Sequence, residues 1–171
     1  MEKGKKKKPG KKTAVILCVC GGLALIAAVL LLTDLRVRVV GRDIREKRIR
    51  EFWYTYSTST DPPHYQRYRF YTEDGSRFFY HETREGDHWP LRETDITVSG
   101  TRELTETEWE ALLALLKGGT VEKRRETASS GGAGPWLYLY WQGDLGRWQV
   151  YSFPGREARG AFEAFCLELK G

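Results

Sequence analysis

The run "TAVILCVCGGLALIAAVLLLT", residues 13–33, contains 21 consecutive residues without a charged or an aromatic side chain. An α-helix rises about 1.5 Å per residue, so a helix of this length matches the roughly 30 Å hydrocarbon core of a bilayer. A helix that packs on a water-exposed core would carry a polar stripe, and this run has none. The sequence therefore predicts a membrane-spanning helix over residues 13–33.

A cleaved signal peptide is the main alternative for this segment. Its apolar region is shorter, and small residues followed by a polar stretch mark the cleavage site. Here the run continues through residues 29–32, beyond the alanine pair Ala27 and Ala28. We therefore expect an uncleaved signal anchor. Ala24 and Ala28 are four residues apart, a spacing that lets two membrane helices approach, so we also expect a weak homodimer.

Charge is distributed unevenly along the chain. Residues 1–12 hold seven lysines and one acidic residue, which leaves 21 of the 28 basic and 22 of the 23 acidic side chains for the rest. Nucleic-acid binding needs clustered basic side chains that displace counterions from phosphates. The nearly neutral remainder of the chain predicts no nucleic-acid partner.

The orientation in the membrane follows from the flanking charges. Residues 34–50 also contain seven Lys and Arg, so the positive-inside rule alone gives a tie. We break it because those residues alternate with acidic ones and lead into a domain, whereas the lysine tail gains about 1 kcal/mol per Lys at anionic lipid. The alternative, a cytosol-facing adaptor, has the reverse topology. The predicted organisation is a cytoplasmic tail (1–12), the anchor (13–33), a juxtamembrane connector (34–48) and an extracytoplasmic domain (49–171).

The first half of the domain reads as strands. "FWYTYSTST" alternates with the period of two that is typical of a half-buried strand. "YRFYTEDGSRFFYH" is a predicted hairpin, since Asp74-Gly75 accepts the positive φ values of a two-residue turn. That turn fixes the register, with Tyr68 opposite His81 and Phe70 opposite Phe79. "ETDITVSG" is the next predicted strand.

Two amphipathic helices follow from capping and periodicity. Thr105 and Glu108 form a capping box ahead of the apolar pattern in "LTETEWEALLALLKGG". The last helix, "REARGAFEAFCLELK", carries an apolar stripe that includes Phe162 and Cys166. Cys166 is the only cysteine beyond the apolar run, so no disulfide forms within the domain and the thiol is expected to pack in the core.

A second hairpin is predicted from "GPWLYLYW", which places aromatic side chains on both faces of a strand. With a turn over Gly143–Gly146, Tyr138 lies opposite Tyr151. One face then carries Trp136, Tyr138, Tyr140 and Tyr151, and this amphipathic face is the candidate binding surface. Alternatively, these are ordinary strand residues or the segment 34–48 covers them. The predicted fold is α+β, an antiparallel sheet of about six strands in hairpins packed with two helices.

Catalysis has weaker support in the sequence. His81 lies on an apolar strand face and His88 lies in the loop "REGDHWP", and neither has metal-ligand spacing. No catalytic constellation can be assigned, so no catalytic residue, metal ligand or cofactor is predicted. A cell-wall hydrolase with His81 or His88 in its site is the alternative to a binding protein.

A resemblance adds to this interpretation. The run from "FWYTYSTST" through "YRFYTEDG", the capped helix and "GPWLYLYWQGD" before an aromatic C-terminal helix resemble uncharacterised small membrane-anchored or lipid-anchored envelope proteins of gut Gram-positive bacteria. The resemblance implies an α+β domain outside the membrane and no known activity. The chain departs from the lipid-anchored members because it lacks a usable lipidation cysteine. We expect a non-enzymatic envelope-associated module whose partners are the lipid bilayer and an envelope polysaccharide or another membrane protein.

Overall fold

A computed structural model describes residues 19–29, 36–123, 134–144 and 149–171. The chain divides into two units, Met1–Arg36 and Val37–Gly171. In the first unit, residues 19–29 form helix α1. No helix among the described residues is both long and apolar enough to cross a membrane, and residues 13–18 and 30–33 of the apolar run lie outside them.

The second unit is an α+β domain built on one antiparallel sheet. Within the described residues the sheet has eight strands in the order β1-β6-β8-β7-β2-β3-β4-β5. Two helices, α2 (Glu106–Leu116) and α3 (Arg156–Lys170), pack against it. The strands are β1 (Arg38–Val39), β2 (Ile49–Thr58), β3 (His64–Glu73), β4 (Ser76–Arg84), β5 (Ile96–Glu103), β6 (Thr120–Lys123), β7 (Trp136–Trp141) and β8 (Gln149–Ser152), with short 3-10 helices at Glu46–Arg48 and Glu93–Asp95.

The predicted count of six strands was therefore too low. The two additional strands, β1 and β6, pair with each other, and β6 also pairs with β8. They have two and four residues, too few to show a period-two pattern in the sequence. The segment from residue 37 onward belongs to the domain and is not a connector, because Val40 and Ile44 are each only 1% exposed in its core.

The first hairpin agrees with the sequence prediction. In the β3–β4 pairing Tyr68 lies opposite His81 and Phe70 opposite Phe79. The turn residues Asp74 and Gly75 have φ values of 49° and 89°. An Asp-Gly pair tolerates these angles with little strain, which is why the register could be predicted.

The second hairpin differs from the prediction by one residue. Tyr138 pairs with Val150 rather than with Tyr151. Because side chains alternate along a strand, a shift of one residue moves each of them to the other face. Tyr151 is consequently buried on the helix-covered face at 1% exposure, where its Oη donates to the Leu116 carbonyl oxygen at 3.0 Å. Its assignment to the binding surface was wrong.

The helix-covered face of the sheet holds the core. The capping box at Thr105 and Glu108 starts α2 as predicted, and Gly118 follows its end with a φ of 81°. Cys166 on α3 is fully buried, and burial raises the pKa of its thiol well above the usual value, so it packs as an apolar side chain. The largest contributors are aromatic or aliphatic side chains from both layers: Phe52, Phe70, Phe79, Leu112, Leu116, Leu139, Tyr151 and Phe162.

Candidate functional site

The sheet face opposite the two helices is the candidate site, and we call it the open face. In the described part of the chain, both α2 and α3 lie on the other side of the sheet. Three of the four residues predicted for binding, Trp136, Tyr138 and Tyr140, lie on the open face and are half-buried. Its central residues come from four adjacent strands: Glu51, Trp53, Thr55, Tyr65, Arg67, Arg69, Tyr71, Phe78, Tyr80, Glu82, Arg84, Trp136, Tyr138 and Tyr140.

Arginines alternate with aromatic rings along β3 on the open face. The Arg69 guanidinium carbon lies 4.8 Å from the centroid of the Trp53 ring and 4.3 Å from that of Tyr71. The Arg67 guanidinium carbon lies 5.1 Å from Trp53 and 5.4 Å from Tyr65. Cations over aromatic rings at these distances are attracted by the ring quadrupole, which restrains the side chains of both partners. The open face therefore carries arginines held among aromatic rings.

A buried carboxylate lies among the arginines and tyrosines of this surface. Glu82, 3% exposed, accepts hydrogen bonds from Nε and Nη2 of Arg84 at 2.9 and 2.6 Å. Tyr80 donates its hydroxyl to the other Glu82 oxygen. Burial and the adjacent carboxylate raise the pKa of Tyr80 to about 12, which keeps that proton in place. A second carboxylate, Glu51, accepts from Arg69 Nε at 2.5 Å and from the indole nitrogen of Trp53 at 2.7 Å.

One end of the open face is concave. A pocket of about 310 Å³, which we call the Trp136 pocket, lies between β2, β3 and β7 and the loop after β4. Its described lining consists of Thr55, Ser57, Tyr65, Arg67, Trp89, Pro90, Leu91, Trp136 and Tyr138. The loop side is held in place because Arg84 Nη1 donates to the Leu91 carbonyl oxygen at 3.3 Å.

The position of Trp136 depends on the glycine two residues before it. A Cβ atom at Gly134 would lie 2.7 Å from the Trp136 ring and 3.0 Å from the Thr55 carbonyl oxygen. The Gly134 amide donates to the Ser57 carbonyl oxygen at 2.9 Å, which brings the two chain segments together. The missing side chain thus leaves the space that the Trp136 indole occupies beside residue 134.

The two histidines considered for catalysis are on separate parts of the domain. His81 lies on the helix-covered face and stacks on Phe79, and burial together with Lys170 lowers its pKa. His88 is in an exposed loop, with Nε2 3.2 Å from an Asp95 carboxylate oxygen. The described residues contain no group of three or more His, Cys, Asp or Glu side chains that could hold a metal ion.

A different cleft does contain a histidine and a carboxylate. It has a volume of about 370 Å³, lies between α3 and the ends of β2 and β3, and includes His64 and Glu163 in its lining. Glu163 is engaged in structural bonds, since Arg159 Nε donates to it at 2.8 Å and Tyr54 donates its hydroxyl. The described lining has no serine, threonine or cysteine to act as a nucleophile. The Tyr54–Glu163 hydrogen bond joins β2 to α3 at this cleft.

The sequence contained part of the signal for this surface. The aromatic residues of β7 were identified from it, but the arginines Arg67, Arg69 and Arg84 were not assigned to a site. The position of Arg67 and Arg69 among tyrosines in "YQRYRFY" was visible, although no local pattern reveals that Trp89 and Leu91 fold over the same strands. No family model, curated protein or solved structure matches this chain.

Proposed function

We propose that this is a single-pass membrane protein whose domain acts outside the cytoplasmic membrane as a non-enzymatic binding module for an envelope polysaccharide. The anchor is the uncharged run 13–33, which has the length of a bilayer span. The seven lysines of residues 1–12 favour a cytoplasmic N-terminus beside anionic lipid. The proposal agrees with the resemblance to membrane-anchored envelope proteins.

The observation that carries the binding role is the Trp136 pocket on the open face. Its walls include Trp136, Tyr138 and Trp89, and Trp89 is 38% exposed. Flat rings with polar edges suit a ligand that has both apolar C–H faces and hydroxyl groups, as sugar rings have. The volume of about 310 Å³ lies at the lower end of the range for ligand pockets, as expected for a site that takes one ring of a longer polymer.

Removal of the Trp136 indole is expected to weaken polysaccharide binding at least tenfold. Tryptophans that line a pocket centre commonly contribute more than about 1.4 kcal/mol, the equivalent of a factor of ten. The measurement is the binding of the full-length protein in lipid nanodiscs to polysaccharide purified from the native envelope, for Trp136→Ala and the unsubstituted chain. Equal affinities would refute the assignment of the binding site.

The matched control for this experiment is Tyr151→Phe. Tyr151 was grouped with Trp136 from the sequence, but its hydroxyl lies on the other face and bonds to Leu116. Loss of that hydrogen bond is expected to lower the free energy of unfolding by about 1 kcal/mol. Binding should be unchanged, so a loss of affinity in this variant would mean that general destabilisation explains the result.

The membrane topology gives a separate prediction. A reporter enzyme fused after Gly171 should be active when it requires export and inactive when it requires the cytoplasm. The flanking segments 1–12 and 34–50 carry equal numbers of basic residues, so in this proposal the attraction of the lysine tail to anionic lipid decides the orientation. Replacing its seven lysines by glutamine should therefore produce a mixed orientation. Activity of only the cytoplasmic reporter in the native chain would instead support a cytosol-facing adaptor.

A further inference from the structure

We propose that the Trp136 pocket selects an acidic sugar, in which a carboxylate or phosphate on the ring is bound by Arg67. This inference rests on the proposed polysaccharide-binding function and specifies the ligand class of the same site. Its basis is the charge of the pocket, the incomplete bonding of Arg67 and a buried hydroxyl beside it.

The pocket is positively charged. Apart from the phenols of Tyr65 and Tyr138, Arg67 is the only ionisable side chain in the described lining of the pocket. Behind it, Glu82 faces two arginines, Arg67 and Arg84. The cluster therefore retains one surplus positive charge, which a neutral ligand would leave unpaired.

Arg67 retains hydrogen-bonding capacity for a ligand. A guanidinium group has five N–H donors in a planar fork that matches carboxylate and phosphate oxygens. The Nε atom of Arg67 makes one long hydrogen bond, 3.4 Å to the Thr55 hydroxyl. Its Nη1 atom lies 3.7 Å from the nearest Glu82 oxygen, beyond hydrogen-bonding distance, because Glu82 is turned toward Arg84. The side chain is 26% exposed, so a ligand can reach the guanidinium group.

The position of Arg67 is fixed before any ligand binds. Its guanidinium carbon lies over the Trp53 and Tyr65 rings, 5.1 and 5.4 Å from their centroids, and both contacts restrain the side chain. A fork that is already ordered loses less conformational freedom when it forms two bonds to an acidic group. Lysine at the same position would supply the charge without the planar geometry.

A second polar group of the pocket lining, the Tyr65 hydroxyl, has no well-formed hydrogen bond within the described part of the chain. Tyr65 is 7% exposed, and its Oη is buried without a hydrogen bond of acceptable geometry to any described group. Burial raises the pKa of Tyr65, while Arg67 and Arg84 oppose the rise, so the group remains a protonated donor. Native structures rarely leave a buried hydroxyl unsatisfied, and a small shift of the Tyr65 ring toward the pocket that it lines would let a ligand oxygen accept from it.

The test compares three probes on the full-length protein in nanodiscs that contain only zwitterionic lipid. The probes are oligogalacturonate, the same oligosaccharide methyl-esterified at every carboxyl group, and an oligosaccharide that carries phosphate on its sugar rings. The esterified probe keeps the ring and removes the charge, and the third probe distinguishes phosphate from carboxylate. At least one acidic probe should bind tenfold or more tightly than the ester.

The variants assign that preference to one side chain. Arg67→Gln should abolish the tenfold preference, and Arg67→Lys should restore part of it. Arg69→Gln is the matched control, because Arg69 is on the same strand and stacks on the same Trp53 but does not line the pocket. It should keep the preference, and the thermal unfolding midpoint of each variant verifies that the domain remains folded.

Each outcome is decisive. Equal binding of acidic and esterified probes, or an equal loss of preference in Arg69→Gln, would overturn the acidic-sugar assignment. Either result could occur while the native chain still binds envelope polysaccharide and Trp136→Ala still weakens that binding. In that case the binding function stands, and only the assignment of the ligand class fails. If no polysaccharide binds the native chain, both proposals fail.

Discussion

Replacing Phe162 by alanine is expected to lower the free energy of unfolding of the domain by about 3–5 kcal/mol, the usual cost of truncating a buried phenylalanine. Phe162 lies on α3 and is fully buried. Its ring centroid is 5.3 Å from that of Phe52, 5.9 Å from Phe70 and 5.3 Å from Phe153. It therefore joins α3 to two central strands and to the segment after β8, and no single neighbour can move to fill the vacated volume.

The measurement is denaturant unfolding of the full-length protein in a fixed detergent, followed by tryptophan fluorescence. Leu167→Ala is the matched control, since Leu167 is on the same helix but 61% exposed. Its effect should stay within about 0.5 kcal/mol, as for most surface substitutions. A comparably small effect for Phe162→Ala would show that α3 does not pack on the sheet as described.

The two hairpins explain how far the sequence could predict the sheet. Asp74-Gly75 encodes a two-residue turn through its backbone preferences, so the register of β3 and β4 followed from local chemistry. The glycines around residues 143–146 permit several loop lengths, and the β7–β8 register is fixed instead by contacts distant in sequence. Tyr151 turns inward to reach the Leu116 carbonyl oxygen, and a Cβ atom at Gly119 would lie 2.2 Å from its hydroxyl.

The same distinction applies to the candidate site. Period-two alternation identified the aromatic side chains of β7, because strand geometry alone places Trp136, Tyr138 and Tyr140 on one face. The pocket also needs the loop that carries Trp89, whose position depends on the bond from Arg84 to Leu91. Such a contact has no local sequence signature. The short strands β1 and β6 were missed for the related reason that pairing partners, not periodicity, define them.

The buried ion pair between Glu82 and Arg84 lies beside Arg67 on the open face. Disruption of this ion pair should be the other large effect on stability. Glu82 is 3% exposed and Arg84 is 6% exposed. Removing one partner of a buried pair leaves an uncompensated charge and typically costs about 3–5 kcal/mol. We expect Glu82→Ala to destabilise the domain by that amount, measured by the same denaturant unfolding.

The double variant Glu82→Ala/Arg84→Ala tests the physical cause. If the cost arises from the stranded guanidinium group, the double variant should lose clearly less stability than the sum of the two single variants, a coupling that a double-mutant cycle measures directly. Glu106→Ala, which removes the largely exposed partner of Arg77, serves as the comparison and should shift the unfolding midpoint much less. Strict additivity of Glu82→Ala and Arg84→Ala would mean that the two charges do not compensate each other. In that case Glu82 would not be held by Arg84, and the spare hydrogen-bonding capacity assigned to Arg67 would lose its structural basis.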